Sequence, residues 1–308
     1  MTSKLFRSLL LYRYSSLSLN LSKRSFTMSI APSIELLKNS YVDVHAHLTH
    51  DDFKGEIEVI VEKCKSSGLE FIVCNGLEPI SNRQVLDISS QYPIVLPSLG
   101  IYPLDAACNV IEKGKNWVHD FEPPEKFNIE DEVNFIDQMA TENRIVAVGE
   151  CGLDKYYLTD DESMLEQERV LRLLMRVAKK HDIPIILHSR KAEARVLELL
   201  IEEKVVKADF HCFCGKAKLG QKIAAAGYYL SIPSVVERGD SFQALVRALP
   251  LENILTETDC PYMGPDKGVR NDPSTVVRGV AAIAKVKGIS ELEAKQAIRA
   301  NFQKLFNR

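Results

Sequence analysis

Residues 183–211, IPIILHSRKAEARVLELLIEEKVVKADFH, decide the architecture. A short apolar run, Ile183 to Leu187, stops at His188, and after an intervening segment a second run, Val206 to Phe210, stops at His211. A run that is apolar on both faces suits a strand buried in a parallel sheet, and the segment between the two is long enough for a helical crossover. The same unit recurs along the chain. Strand-like runs stand at Tyr41 to Val44, Phe71 to Asn75, Ile94 to Gly100 and Ile145 to Gly149, then at the two positions above, Tyr228 to Ile232 and Ile254 to Thr258. Eight runs spaced by about 30 residues, the size of one βα unit, predict a closed (β/α)8 TIM barrel. Between them, Ile57, Ile60, Val61 and Cys64 repeat at helical spacing, as do Leu171, Leu174, Met175 and Ala178. Such stripes are the inner faces of helices packed on a barrel. A doubly wound sheet uses the same units, but eight runs without a linker favour closure.

The composition is that of a globular chain: 308 residues, 45% hydrophobic and 26% charged. Collagen, low-complexity and disulfide-scaffold classes are excluded. No stretch reaches the roughly 20 uninterrupted apolar residues of a membrane-spanning helix, and nothing points to a protein partner. Charge is unevenly distributed. Lys4, Arg7, Arg13, Lys23 and Arg24 precede the first acidic residue, Glu35, and leave 34 basic against 42 acidic residues in the remainder. With Leu5, Phe6, Leu9 and Leu10 on one helical side, residues 1–28 read as a mitochondrial transit-peptide-like leader, and Met28 offers a second start for a cytosolic form. Residues 41–308 read as a single domain. Its acidic balance argues against broad capture of duplex DNA, so a nucleic-acid substrate would be gripped locally. Seven cysteines, an odd number, fit reduced thiols rather than a disulfide framework.

The chemistry stands at the strand ends. The first run leads into His45 and His47, the fourth into Glu150, the fifth into His188, the sixth into His211 and the eighth into Asp259. A barrel gathers these ends on one face. His45 and His47, two residues apart on extended backbone, point the same way and suit one cation, with Asp259 completing its shell. His188 and His211 suit a second, and Glu150 has the two oxygens needed to bridge both. Imidazole mixed with carboxylate favours Zn, Mn or Fe over Mg. Two divalent ions about 3.5 to 4 Å apart activate water and neutralise charge on a phosphoryl or carbonyl group. The expectation is therefore a metal-dependent hydrolase. Cys151, Cys212 and Cys260, each directly after a proposed ligand, are expected to point away from the metals. Asp154 is expected to orient a ligand or cap the following helix. Arg190 is placed to reach a substrate phosphate or to fix its own loop by a salt bridge. His50, His119 and His181 read as surface or structural residues, and Lys267, Arg270 and Asn271 as a solvated loop or phosphate contacts. Two long connections, residues 104–127 with Trp117 and residues 260–273, emerge on the face that carries the chemistry.

The segments YVDVHAHL, VGECGLD, IPIILHSR, FHCFCG and TETDCP resemble, in order, the signatures of the TatD-type metal-dependent deoxyribonucleases of the amidohydrolase-like barrels. The resemblance runs from Tyr41 to the terminal NFQKLF, and VRNDP after the eighth run is similar to the eukaryotic TatD-domain-containing branch. It implies His45, His47, Glu150 and Asp259 around one divalent metal, and Glu150, His188 and His211 around the other, with Zn, Mn or Mg as the ions. Asp259 would also orient or deprotonate the attacking water, and Glu150 and Asp259 would be the catalytic carboxylates. The implied reaction is hydrolysis of DNA phosphodiester bonds from a 3′ end, with DNA ends or a small phosphodiester as substrate. The alternative is hydrolysis of carboxylic esters, lactones or amides, against which stands Glu150 where many related barrels place a bridging lysine. Three positions depart from the family pattern. Tyr102 replaces the usual His of Gly-x-His-Pro and is the expected substrate contact beside Arg190, Thr49 replaces a common Asp or Asn, and Cys214 a common Asp.

Overall fold

The computed structural model describes residues 39–308. The leader proposed for residues 1–28 lies outside them. Eight strands, β1 (Tyr41–Ala46), β2 (Leu69–Asn75), β3 (Val95–Leu99), β4 (Ala147–Gly152), β5 (Ile185–His188), β6 (Ala208–Phe210), β7 (Tyr229–Pro233) and β8 (Ile254–Glu257), form one sheet in chain order. Every neighbouring pair from β1–β2 to β7–β8 is parallel. The crossovers carry helices α1 (Ile57–Ser66), α2 (Pro79–Gln91), α3 (Pro103–Ala106), α4 (Ile129–Thr141) and α5 (Asp161–Lys180). They continue with α6 (Glu193–Glu202), α7 (Ala217–Ala225), α8 (Asp240–Ala248), α9 (Val276–Lys287) and α10 (Glu291–Phe306). Ile60, Val61 and Cys64 on α1 are buried, as are Leu171, Leu174, Met175 and Ala178 on α5. The helical stripes therefore face the sheet.

The seam between β1 and β8 completes the circuit through a few specific bonds. One bridge pairs Ala46 with Cys260, the Asp259 amide donates to the His45 carbonyl at 2.8 Å, and the His47 amide donates to the Cys260 carbonyl at 3.0 Å. The buried Asp43 carboxylate pins this seam by accepting from the His45 amide (3.1 Å), the Thr258 amide (3.0 Å) and the Thr258 hydroxyl (2.6 Å). The seam is thus tied to the same backbone that carries three of the strand-end residues.

Several strand ends differ from the sequence reading. β1 continues through His45 to Ala46, and β4 starts at Ala147 and runs through Glu150 to Gly152 instead of ending at Gly149. Glu150 is therefore held inside a strand. The reason is close packing: Gly152 pairs with His188 of β5, and a Cβ at Gly152 would stand 1.9 Å from the His188 carbonyl oxygen. Its φ of +148° also favours glycine.

The connection after β3 folds on itself. Trp117, 1% exposed, packs with Leu104, Ala107, Ile111 and Leu158 into a small second core, and its indole N–H donates to the Phe121 carbonyl at 2.8 Å. His119 lies against Trp117, Phe121 and Tyr157 in the same cluster. Burying an aromatic group of this size gives a long loop a fixed position above the barrel.

Candidate metal centre and active site

All six strand-end residues meet at the C-terminal face. The imidazole nitrogens Nε2 of His45 and His47 are 3.1 Å apart, and Glu150 Oε2 stands 3.3 and 3.4 Å from them. Asp259 Oδ1 flanks the pair at 3.8 and 3.4 Å. The other Glu150 oxygen, Oε1, stands 3.0 Å from His188 Nδ1 and 2.9 Å from His211 Nε2, and these two nitrogens are 3.4 Å apart. One carboxylate thus presents a different oxygen to each imidazole pair.

The donor set fits cations. Ligand atoms about 2.0–2.1 Å from a zinc ion in a tetrahedron stand about 3.3–3.4 Å from one another. The spacings are 3.1–3.4 Å around His45 and His47 and 2.9–3.4 Å around His188 and His211, so both sets need only a small opening to receive an ion. Imidazole nitrogens and ionised carboxylate oxygens converge here, a mixed donor set that suits a divalent transition metal. His45, His47 and Glu150 form one set able to hold an ion, and Glu150, His188 and His211 another. A third geometric set joins His45, His211 and Glu257. In that set Glu257 is engaged elsewhere, because its oxygens accept from the Cys212 amide (2.7 Å) and the Ser231 hydroxyl (2.6 Å).

Electrostatics follow from this packing. Burial alone would raise Glu150, but the His211 charge and hydrogen bonds from His188, His211 and His45 outweigh it and hold the carboxyl well below its usual range. Asp259 is likewise raised by burial and, on balance, lowered by the hydrogen bond from His47 and the charges of His211, His45 and His47. Both are ionised. Burial and repulsion by His211 push His45 down to about 4 despite Glu150. For His188, burial is overcome by Asp154 and Glu150, which raise it to about 9. The two shifts are opposed because His45 is buried against another imidazole, whereas His188 sits between two carboxylates.

Asp154 orients a candidate ligand, as one of its two sequence readings proposed. His188 Nε2 lies 2.9 Å from Asp154 Oδ2, while Oδ1 accepts the amides of Tyr156 (2.8 Å) and Tyr157 (2.9 Å). The cap of α5 is instead Asp160, which accepts the Ser163 amide at 2.9 Å. Sequence reasoning missed a buried layer behind the metal candidates. The Ser231 hydroxyl sits 2.8 Å from Asp209 Oδ2 and 2.6 Å from Glu257 Oε2, and Glu257 lies 3.9 Å from His211 Nδ1. Burial raises Asp209 to about 6 and Glu257 well above the usual carboxylate range. The available signal was an acidic residue inside a strand run, Asp209 in ADFH and Glu257 in ILTE.

Around the centre some residues follow expectation and others depart from it. Cys151 and Cys260 are buried and belong to none of the candidate ligand sets. Cys212, by contrast, lines a cavity of about 430 Å³ with His211 and Cys214, because its backbone turns to φ +43° and breaks the strand alternation. Arg190 forms no ion pair among the described residues; its guanidinium lies 3.7 Å over the Tyr156 ring and 5.2 Å from the Tyr157 ring centre. Arg270 is turned away from the site into a pair with Glu56 (2.6 Å), and the buried Asn271 amide donates to the carbonyls of Thr258 (2.9 Å) and Tyr262 (2.7 Å). These two brace the loop after β8, and Lys267 is exposed upon it. His181 pairs with Asp137 at 2.8 Å, and His50 meets the Tyr262 hydroxyl at 3.0 Å at the site's mouth. Tyr102 faces the site, its ring 5.0 Å from that of His188. Burial, then the charges of Glu150 and Asp154, raises its hydroxyl and keeps it protonated.

A barrel of eight parallel strands with imidazoles and carboxylates gathered at its C-terminal rim defines the class of TIM-barrel metal-dependent hydrolases. Residues 42–307 match the family model of TatD related DNases, and the chain belongs to that family. Human deoxyribonuclease TATDN3 is 32% identical over 284 residues, covering 86% of this chain and 94% of the human one. A metal-dependent hydrolase of Methanocaldococcus jannaschii is 30% identical over 270 residues, covering 87% and 97%. The crystal structure of the TatD homolog YJJV from Escherichia coli superposes with a TM-score of 0.74 at 24% identity, covering 89% of this chain and 99% of that one. The protein is a metal-dependent hydrolase acting on ester bonds.

Proposed function

We propose that the protein hydrolyses phosphodiester bonds of DNA from the 3′ end with two divalent metal ions. The observation that carries the two-ion reading is the division of Glu150, one oxygen toward His45 and His47 and the other toward His188 and His211. When bound, the ions lower the pKa of water and neutralise charge developing on the phosphoryl group. Asp259, ionised and open to the cleft, accepts the proton of the attacking water. Glu150 keeps the two imidazole pairs at a fixed separation. Asp154 holds the His188 ring so that Nδ1 faces inward. Arg190 supplies a permanent positive charge beside the substrate phosphate, and Tyr102 supplies a neutral hydroxyl donor where a histidine would carry charge. The human relative's name, a deoxyribonuclease, supports DNA as the substrate.

The test is metal analysis of purified protein coupled to assays on single-stranded DNA, RNA and carboxylic ester substrates. About two ions per chain with 3′ shortening of DNA is the expected result. One ion, or turnover of esters alone, overturns the proposal. We also propose that residues 1–28 direct the chain to mitochondria, on the strength of their basic, acid-free composition. A fluorescent protein fused to this leader should accumulate in mitochondria, and a uniform cytosolic signal refutes it.

A further inference from the structure

The cleft above the candidate metal centre, about 690 Å³, has walls of unequal chemistry. Its size is that of a site for one drug-sized ligand, too small to enclose a duplex. Glu150, His188, His211 and Asp259 form its floor. Tyr262 lines one wall and is 57% exposed, a large apolar surface presented to solvent three residues after Asp259. It is a braced aromatic. Its amide donates to the Asp259 carbonyl (3.0 Å), its carbonyl accepts from the buried Asn271 side chain (2.7 Å), and its hydroxyl meets His50 Nε2 at 3.0 Å. Arg190 lines the cleft as well, stacked on Tyr156, which is itself 51% exposed. A guanidinium already lying on a ring loses little freedom when it meets a phosphate.

From this arrangement we infer that Tyr262 is a stacking face for an unpaired nucleobase of the substrate, with the Arg190–Tyr156 pair receiving the adjoining phosphate. The inference rests on the phosphodiesterase reading and adds to it the residue that would hold a base. Stacking on an aromatic face is open to any base but only to one released from its partner. Charge points the same way. Arg190 and, in the adjoining cavity, Lys191 are opposed at the rim by Asp51, Glu78 and Glu193. A duplex track needs a row of cations that this rim does not provide.

The experiment compares binding of hexathymidylate with that of an abasic hexamer of the same backbone, both with phosphorothioate linkages that slow hydrolysis and a 5′ fluorescein for anisotropy. The full-length, metal-loaded protein should bind the thymidylate at least roughly fivefold more tightly, since a stacked base is worth that much or more. Tyr262→Ala should abolish the preference, and Tyr262→Phe, which retains the ring and loses only the His50 contact, should restore it. Equal affinity of wild type for the two hexamers, or an unchanged preference in Tyr262→Ala with an unaltered melting temperature, overturns the inference. Failure of the two readings is distinguishable. A protein that cleaves DNA without preferring bases keeps the phosphodiesterase activity and loses the stacking face. A protein that prefers bases but cleaves no phosphodiester loses the activity and keeps the face.

Discussion

Glu150 is buried and Asp259 is partly open to the cleft, and their geometry separates their roles further. Glu150 meets four imidazoles through two oxygens, whereas Asp259 meets only His45 and His47. Glu150→Ala should therefore lower occupancy of both ions together, because each loses a ligand and the shared compensating charge. Asp259→Asn retains an oxygen but loses the charge and the proton acceptor, so at least one ion should stay while turnover falls by about 10² or more. Metal counting beside hydrolysis rates decides, and full double occupancy in Glu150→Ala is incompatible with the bridge. Asp154→Asn should weaken the His188-side ion by about 10- to 100-fold, as loss of a carboxylate behind a ligating imidazole does, and leave the His45–His47 side unchanged. Metal titration monitored by calorimetry reads this directly. Tyr102→His puts a group able to carry positive charge beside the substrate and leaves every candidate ligand in place. Phosphodiester turnover should rise or broaden at constant metal content, and unchanged rates on every phosphodiester would place Tyr102 beyond the substrate's reach.

At the scale of elements, β4 is the strand on which the centre depends. It lies between β3 and β5, carries Glu150 in its interior, and contacts both neighbours through glycines. A Cβ at Gly100 would meet the Glu150 carbonyl oxygen at 2.2 Å, and one at Gly152 would meet the His188 carbonyl oxygen at 1.9 Å. Both obstacles are backbone, so no rotamer change relieves them. Gly152→Ala combines this clash with an unfavourable φ of +148° and should cost about 1–3 kcal/mol, or more if β5 cannot yield. Thermal unfolding followed by circular dichroism should show a drop of several degrees, and an unchanged midpoint would mean that β4 and β5 are less closely packed than described. The loop holding Trp117 works at the same scale. By burying its own aromatic cluster against Tyr157, it steadies the chain segment that also carries Tyr156 beneath Arg190.

For the whole molecule, charge governs how substrate arrives. The acidic residues outnumber the basic ones, 42 to 39, and the cations at the cleft are Arg190 and, next to it, Lys191. Binding of single-stranded DNA should therefore release few counterions. A plot of log affinity against log salt should have a slope between about −0.7 and −1.4, the value for one to two neutralised phosphates. A slope of −3 or steeper would reveal a larger basic track.

The chain's own order already specified the barrel and the roster of candidate ligands. Eight apolar runs carry a period that survives in one dimension, and in parallel strands the residue after each run falls on one common rim. The spacing of His45 and His47 needs only strand alternation to be read. Tertiary structure alone decided which oxygen of Glu150 faces which imidazole pair, that His188 leans on Asp154, and that Asp209, Ser231 and Glu257 form a layer behind His211. It also decided that Glu150 lies within β4, that Cys212 turns toward the cavity, and that Arg190 rests on Tyr156. Each of these depends on close approach between separate elements or on one backbone angle outside the strand pattern. Contacts between distant residues leave no periodicity along the chain, so only packing reveals them.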